Sequence, residues 1–432
     1  MAPLMSKGDA TGGFPDVAKH AAPFPAALSV RIRDQFENLD ADPVTGSRLY
    51  LDNAGGSLAL GQSVEAGRQA AARPDNAGRD NEASRHVEAT IARGRRDAAL
   101  FLGAASGQVI AGESTTSNVF RVVDAALAGR SGGNVVTTQL EHPCTASAAA
   151  YHAGRFGLTR RVVPISPGTG EISPATVADH VDGDTAAVVF IHASNVLGTR
   201  VDAKAVAAAV HGRNPETLVL VDGTQHAPHG PIDVESMGID AYFFAPYKTF
   251  SVPGGAFAWL SDRMAAKEHP RLEGSGLERW EMGTRDPSGF VAWSAVTDYL
   301  AWLGAEAGEK AEDRRTRVVA AMRAIEAHEA ALAEQVIAGL RELQGTHLHG
   351  VPVADARREA VFAVSVEGKA AAEVVAALGR QGIVTHHRVH DLYSAVVLDA
   401  IGAPDCVRIS PAHYNTPEEM ERLLRALAMA GS

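Results

Sequence analysis

Cysteine is scarce: Cys144 and Cys406 are the only two in 432 residues. That gives neither a disulfide framework nor a zinc spacing, and no metal is expected. Long apolar runs are missing as well. None approaches the roughly 18 residues that a membrane span requires, so a membrane is not an expected partner. Positive charge is in deficit, with 40 Lys and Arg against 51 Asp and Glu and a formal net charge of −11. Nucleic acid is a poor partner for such a chain. The first residues carry Lys7 and Lys19 but no apolar core or cleavage pattern, so a secretory signal is not read there and a cytoplasmic location is expected. What remains is an ordinary globular balance, 46% hydrophobic and 21% charged. The length suffices for one large domain and a smaller one.

Residues 1–25 are rich in Gly, Pro and Ala and read as a loose arm. A short amphipathic helix is expected over Val30–Leu39, with a turn at Asp40–Pro43. Apolar strands are then expected at Val135–Thr138, Ala187–His192, Leu218–Asp222, Ala241–Phe244 and Ala256–Leu260. Helical patterns lie at Arg85–Leu102, Ser117–Leu127, Val201–Val210 and Ser288–Leu303. Strands alternating with helices predict an α/β fold, a mostly parallel sheet covered on both faces. From about Ala305 a long charged helix, Glu309–Leu343, leads into a smaller α+β unit. Its elements are strands at Ala360–Val366, Gly382–Thr385 and Cys406–Ser410, and helices at Ala370–Arg380 and Pro417–Ala428. The expected division is a large domain at 45–305 and a small one built from 26–44 and 306–432.

Chemistry in such sheets gathers beyond the carboxyl ends of the strands, where Asn195, Asp222 and Lys248 fall. An apolar strand ending in Asp222, followed by another ending near Lys248, suits pyridoxal 5'-phosphate. The lysine amine attaches the cofactor aldehyde, and the aspartate keeps the ring nitrogen protonated. A lysine after a strand is most often solvated, but Gln225 and the stretch Val252-Pro253-Gly254-Gly255 flank this one. Gly112-Glu113-Ser114-Thr115-Thr116-Ser117 opens an apolar helix and suits a phosphate, or a simple N-cap. His226 and His229 sit near Asp222 without a third ligand, which argues against a metal.

These residues resemble the class V aminotransferase family, which includes the cysteine desulfurases. The resemblance runs from Tyr50-Leu51-Asp52-Asn53-Ala54-Gly55-Gly56 to Val407-Arg408-Ile409-Ser410-Pro411-Ala412-His413-Tyr414-Asn415-Thr416. It implies the fold-type I architecture of pyridoxal phosphate enzymes, with a seven-stranded sheet and a smaller C-terminal α+β domain. It also implies that His142 stacks on the cofactor ring and handles protons, and that Asn195 lies near the ring substituents. Gln225 is implied to bond the phenolic oxygen, and Thr115 and Thr116 to contact the phosphate. Gly283 and Thr284 are implied to reach the cofactor of a partner subunit, and hence a homodimer with shared sites. Arg408 is implied to anchor the α-carboxylate of an amino-acid substrate, with Asn53 and His387 as further substrate contacts.

Two departures bear on the reaction. A desulfurase needs a thiolate on the loop before this arginine, yet Thr385-His386-His387-Arg388-Val389-His390-Asp391-Leu392-Tyr393-Ser394 contains no cysteine. Tyr247 stands before the lysine where many desulfurases carry histidine, and a phenol there suits a phosphate contact. The reading is therefore an aminotransferase or C–S β-lyase. A cysteine desulfurase, an amino-acid epimerase and a non-catalytic regulator with this fold are the alternatives.

Overall fold

The computed structural model describes residues 22–73 and 76–431. The expected arm lies outside the described residues except for its last four. Seven strands form the central sheet: β1 (Gln108–Gly112), β2 (Asn134–Thr138), β3 (Thr159–Val163), β4 (Thr185–Ile191), β5 (Leu218–Asp222), β6 (Ala241–Phe244) and β7 (Ala256–Leu260). Their spatial order is β1-β7-β6-β5-β4-β2-β3. All run parallel except β7, which is antiparallel to both β1 and β6.

The apolar runs behind this sheet are explained by their two covered faces. Along β4 and β5, Val188, Phe190, Val219 and Val221 enter one core cluster. Their neighbours Ala187, Val189, Leu218 and Leu220 enter the other. The helices α1 (Glu82–Leu102), α2 (Thr115–Leu127), α3 (Pro143–Phe156) and α4 (Ala203–Arg213) contribute to these layers, as does α5 (Pro287–Glu306). The strands missed by the sequence reading, β1 and β3, are the two outer ones. β3 reads Thr-Arg-Arg-Val-Val and keeps polar residues in solvent, so its pattern is weak.

The long helix α6 (Arg314–Glu342) starts later than the expected Glu309, because Asp313 accepts a hydrogen bond from the Thr316 N–H and caps it. Beyond it, β8 (Thr346–His349), β9 (Phe362–Val366), β10 (His386–Arg388) and β11 (Cys406–Ile409) form an antiparallel sheet ordered β8-β9-β11-β10. The helices α7 (Ala371–Arg380) and α8 (Pro417–Gly431) accompany it. Residues 386–388, read from sequence as loop, are thus a strand. The expected strand at 382–385 contributes only Ile383–Val384, which pairs in parallel with Leu49–Tyr50 instead of joining that sheet.

The N-terminal segment also differs. The helix is Ala26–Arg33, not Val30–Leu39. Asn38 takes a positive φ of 55°, and Phe36 bridges to Leu60. Ala41–Asp42 pairs with Gly46–Ser47 around a turn in which the Asp42 carboxylate accepts from the Val44 and Thr45 N–H groups. Leu28, Ile32, Phe36 and Leu39, expected with the small unit, pack in the cluster of the large sheet. Leu49 and Leu51 pack with the small sheet.

Candidate active site

The carboxyl ends of β4, β5 and β6 open onto a pocket lined by Asn195, Asp222, Gln225, Tyr247 and Lys248, with Thr115, Thr116 and His142 from the starts of α2 and α3. Lys248 sits in a single tight turn, Pro246–Lys248, directly after β6. Its side chain is buried, and its amine makes no hydrogen bond or ion pair among the described residues. Burial above all, aided by the Arg408 charge and opposed by Asp222, brings its pKa down to about 8. An amine poised there exchanges a proton near neutral pH.

Asp222 ends β5 and is buried. Its Oδ1 accepts the Thr224 N–H at 3.0 Å, and its Oδ2 accepts from the Thr145 hydroxyl at 3.3 Å and the Cys144 thiol at 3.6 Å. His142 caps α3: its Nδ1 accepts the Cys144 N–H at 3.2 Å, which leaves Nε2 for a proton. Burial lowers its pKa, with Asp222 opposing. The Tyr393 ring lies 5.9 Å from that of His142. Cys144 lines the pocket beside Asp222. Burial holds its thiol far above the usual range, so it stays protonated.

At the other end, Ser114 and Ser117 form a capping box that starts α2. The N–H groups of Thr115 and Thr116 precede Asn118, the first N–H to bond back to a carbonyl of the helix (Ser114 O), and are free for an anion. The Thr224 hydroxyl reaches Thr115 Oγ1 at 3.3 Å. Behind the pocket, Gln225 Nε2 lies 3.2 Å from His229 Nε2, and His229 Nδ1 lies 2.7 Å from Glu329 on α6. His226 pairs with Glu359 at 2.6 Å. Each histidine therefore has its own carboxylate. Glu329, over a hundred residues from Asp222 in sequence, carried no local signal; Thr224, adjacent to the Asp222 motif, did.

Arg408 on β11 is 2% exposed. It donates to Asn195 O at 3.2 Å and to Asp52 Oδ1 at 2.6 Å. Asp52, passed over in the sequence reading, is thus the direct partner of the expected carboxylate anchor. The two further substrate contacts implied by the resemblance are placed as follows. Asn53 is buried, and its amide is spent on Ser410 O at 2.8 Å and on the Tyr414 hydroxyl. His387 stands opposite Val407, on the face of the small sheet away from Arg408, whereas His386 opposes Arg408 itself. Gly283 and Thr284 are exposed and do not line the Lys248 pocket; both border other surface depressions near Arg285.

The pocket fits a pyridoxal phosphate. The Gln225 Oε1 is buried without a partner, the Lys248 amine is unpaired, a carboxylate stands at the strand end, and an anion-ready helix start lies across from it. Comparison with known proteins agrees. An aminotransferase-like protein, FGM3, of Gibberella zeae is 27% identical over 92% of this chain and 97% of its own. A probable cysteine desulfurase of Mycobacterium leprae is 27% identical over 93% and 97%. Among solved structures, a cysteine desulfurase from Thermococcus onnurineus superposes with a TM-score of 0.78 at 21% identity, covering 88% of this chain and 94% of that one. The Escherichia coli cysteine desulfurase CsdA gives 0.76 at 22%, covering 93% and 98%. Residues 49–423 match the class V aminotransferase family, and the chain belongs to that family of pyridoxal phosphate-dependent enzymes.

Proposed function

We propose that this enzyme acts on a small amino acid, by transamination or by C–S β-elimination, in a homodimer with shared sites. The observation that carries the reading is one pocket holding an unpaired, buried amine with a pKa of about 8, next to a buried carboxylate. Bound pyridoxal phosphate supplies an electron sink for charge that develops at the substrate Cα. Asp222 would keep the ring nitrogen protonated, Gln225 would face the ring oxygen, and the start of α2 would hold the phosphate. Tyr247 and Asn195 would flank the ring, and His142 would cover it. Lys248 Nζ is the base that takes the Cα proton and returns it. Arg408 is the guanidinium for the α-carboxylate, in exchange for part of its pairing with Asp52. The exposed Gly283 and Thr284, outside this pocket, suit contact with a second subunit.

Several relatives carry the name cysteine desulfurase, and that activity is the second reading. It requires a sulfur-accepting thiolate. Cys144 and Cys406 are both buried, and burial pushes the Cys406 thiol up to about 12. Elimination and transamination need no such thiolate.

Purified protein should carry a visible cofactor band that becomes permanently attached on borohydride reduction, and Lys248→Ala should lose that attachment. A wild-type protein without the band would sink the cofactor role. Amino acids assayed for keto acid, ammonia and sulfide then separate the reactions. Sulfide release from cysteine that survives replacement of both cysteines supports the lyase. Persulfide lost only in Cys406→Ser would restore desulfuration.

A further inference from the structure

The pairing of β10 with β11 places His386 opposite Arg408 and Arg388 opposite Cys406. Residues directly opposite in an antiparallel pair share a face, so Arg388 and Arg408 project from the same side of the small sheet. Arg408 is matched by Asp52. Arg388 is not: it is 8% exposed, its Nε is buried without a partner, and no ion pair or hydrogen bond joins its side chain to any described residue. The Arg408 that shares its face donates to the backbone of Asn195, which lines the Lys248 pocket, and the Arg388 charge is among those that lower the pKa of Lys248 and His142. Asp52 and Asp391 lie near enough to act on it electrostatically, but neither forms an ion pair with it.

A buried guanidinium without a counter-ion is costly, and its planar fork matches an oxyanion. We infer that Arg388 receives a second anionic group of the substrate, so that the preferred substrate is an amino acid whose side chain ends in a carboxylate or similar oxyanion. This rests on the amino-acid reading of the pocket. A neutral side chain would leave Arg388 desolvated and unpaired, which disfavours neutral isosteres.

Calorimetric titration of the holoenzyme with succinate and butyrate tests the inference without turnover. Succinate is expected to bind on the order of 10- to 100-fold tighter than butyrate, the worth of one charge-assisted contact. Arg388→Gln should bring succinate to the butyrate level and leave butyrate unchanged, and Arg388→Lys should keep part of the preference. The lysine variant also covers the case in which the glutamine variant does not fold. Equal binding of the two acids by wild type overturns the inference. So does equal weakening of both by Arg388→Gln, which would make Arg388 a general carboxylate anchor, and so does a preference that persists in Arg388→Gln. The amino-acid reading fails by a different result: a cofactor band that no amino acid perturbs, whichever acid the calorimeter favours.

Discussion

The Gln225 amide can show the cofactor ring either its oxygen or its N–H, and its contact with His229 Nε2 at 3.2 Å decides which. A neutral His229 that donates Nδ1–H to Glu329 accepts at Nε2, which turns the amide oxygen toward the pocket. A doubly protonated His229 donates at Nε2, and the amide N–H then faces the ring. Burial lowers the His229 pKa, but the Glu329 charge and hydrogen bond outweigh it and leave it raised. Glu329 itself is pushed up to about 7 by burial, against the pull of His229. Glu329→Gln removes the raising influence, so His229 loses its proton at lower pH. The pH titration of the cofactor absorption band should therefore move to lower pH in this variant, read by spectrophotometry. Superimposable titrations would show that the amide is indifferent to the pair behind it.

At the scale of elements, Lys248 and Asp222 were legible because each closes an apolar strand whose two covered faces force a continuous hydrophobic run. The face taken by His387 was not legible, for the opposite reason. Residues 386–388 form a short strand of polar residues, and only pairing with β11 fixes which of them share a face with Arg408. Helix packing sets a comparable constraint. Gly304 on α5 passes so close to α6 that an added methyl would overlap the Arg317 carbonyl. Gly304→Ala is expected to cost about 1–3 kcal/mol through overpacking. A lowered denaturant midpoint with an unchanged cofactor spectrum is the predicted result. Unaltered stability would mean that the two helices separate freely.

For the whole molecule, buried imidazoles tie distant segments together and make stability depend on acid. His328 on α6 accepts the Phe24 N–H at Nδ1 and donates from Nε2 to Asn415 O, both at 2.9 Å. It thereby joins the two ends of the described chain through one neutral ring. Burial lowers its pKa to about 4; His192, His226 and His413 are likewise lowered by burial. For a depressed histidine the unfolded chain takes the proton first, below about pH 6.5. Stability is thus full above that pH and falls as pH drops toward the folded value. His328 alone accounts for about 3 kcal/mol between pH 6.5 and 4. His328→Gln keeps an acceptor and a donor but has no proton to gain. Its unfolding midpoint should fall less steeply with acid than that of wild type, and parallel profiles would refute the assignment.

The sequence by itself determined the covered sheet, the cofactor and the residues at the strand ends, because periodicity and burial are written locally. It also left the thiol question in the open, since two cysteines can be counted without a fold. Only the tertiary structure decided that Asp52 holds Arg408, that Asn53 is spent on Tyr414 and Ser410, that Glu329 stands behind Gln225, and that Arg388 rather than His387 shares a sheet face with Arg408. Each of these is a pairing across 100 to 361 residues or a choice of strand face. Such pairings are fixed by register and packing, which no local pattern of residues encodes.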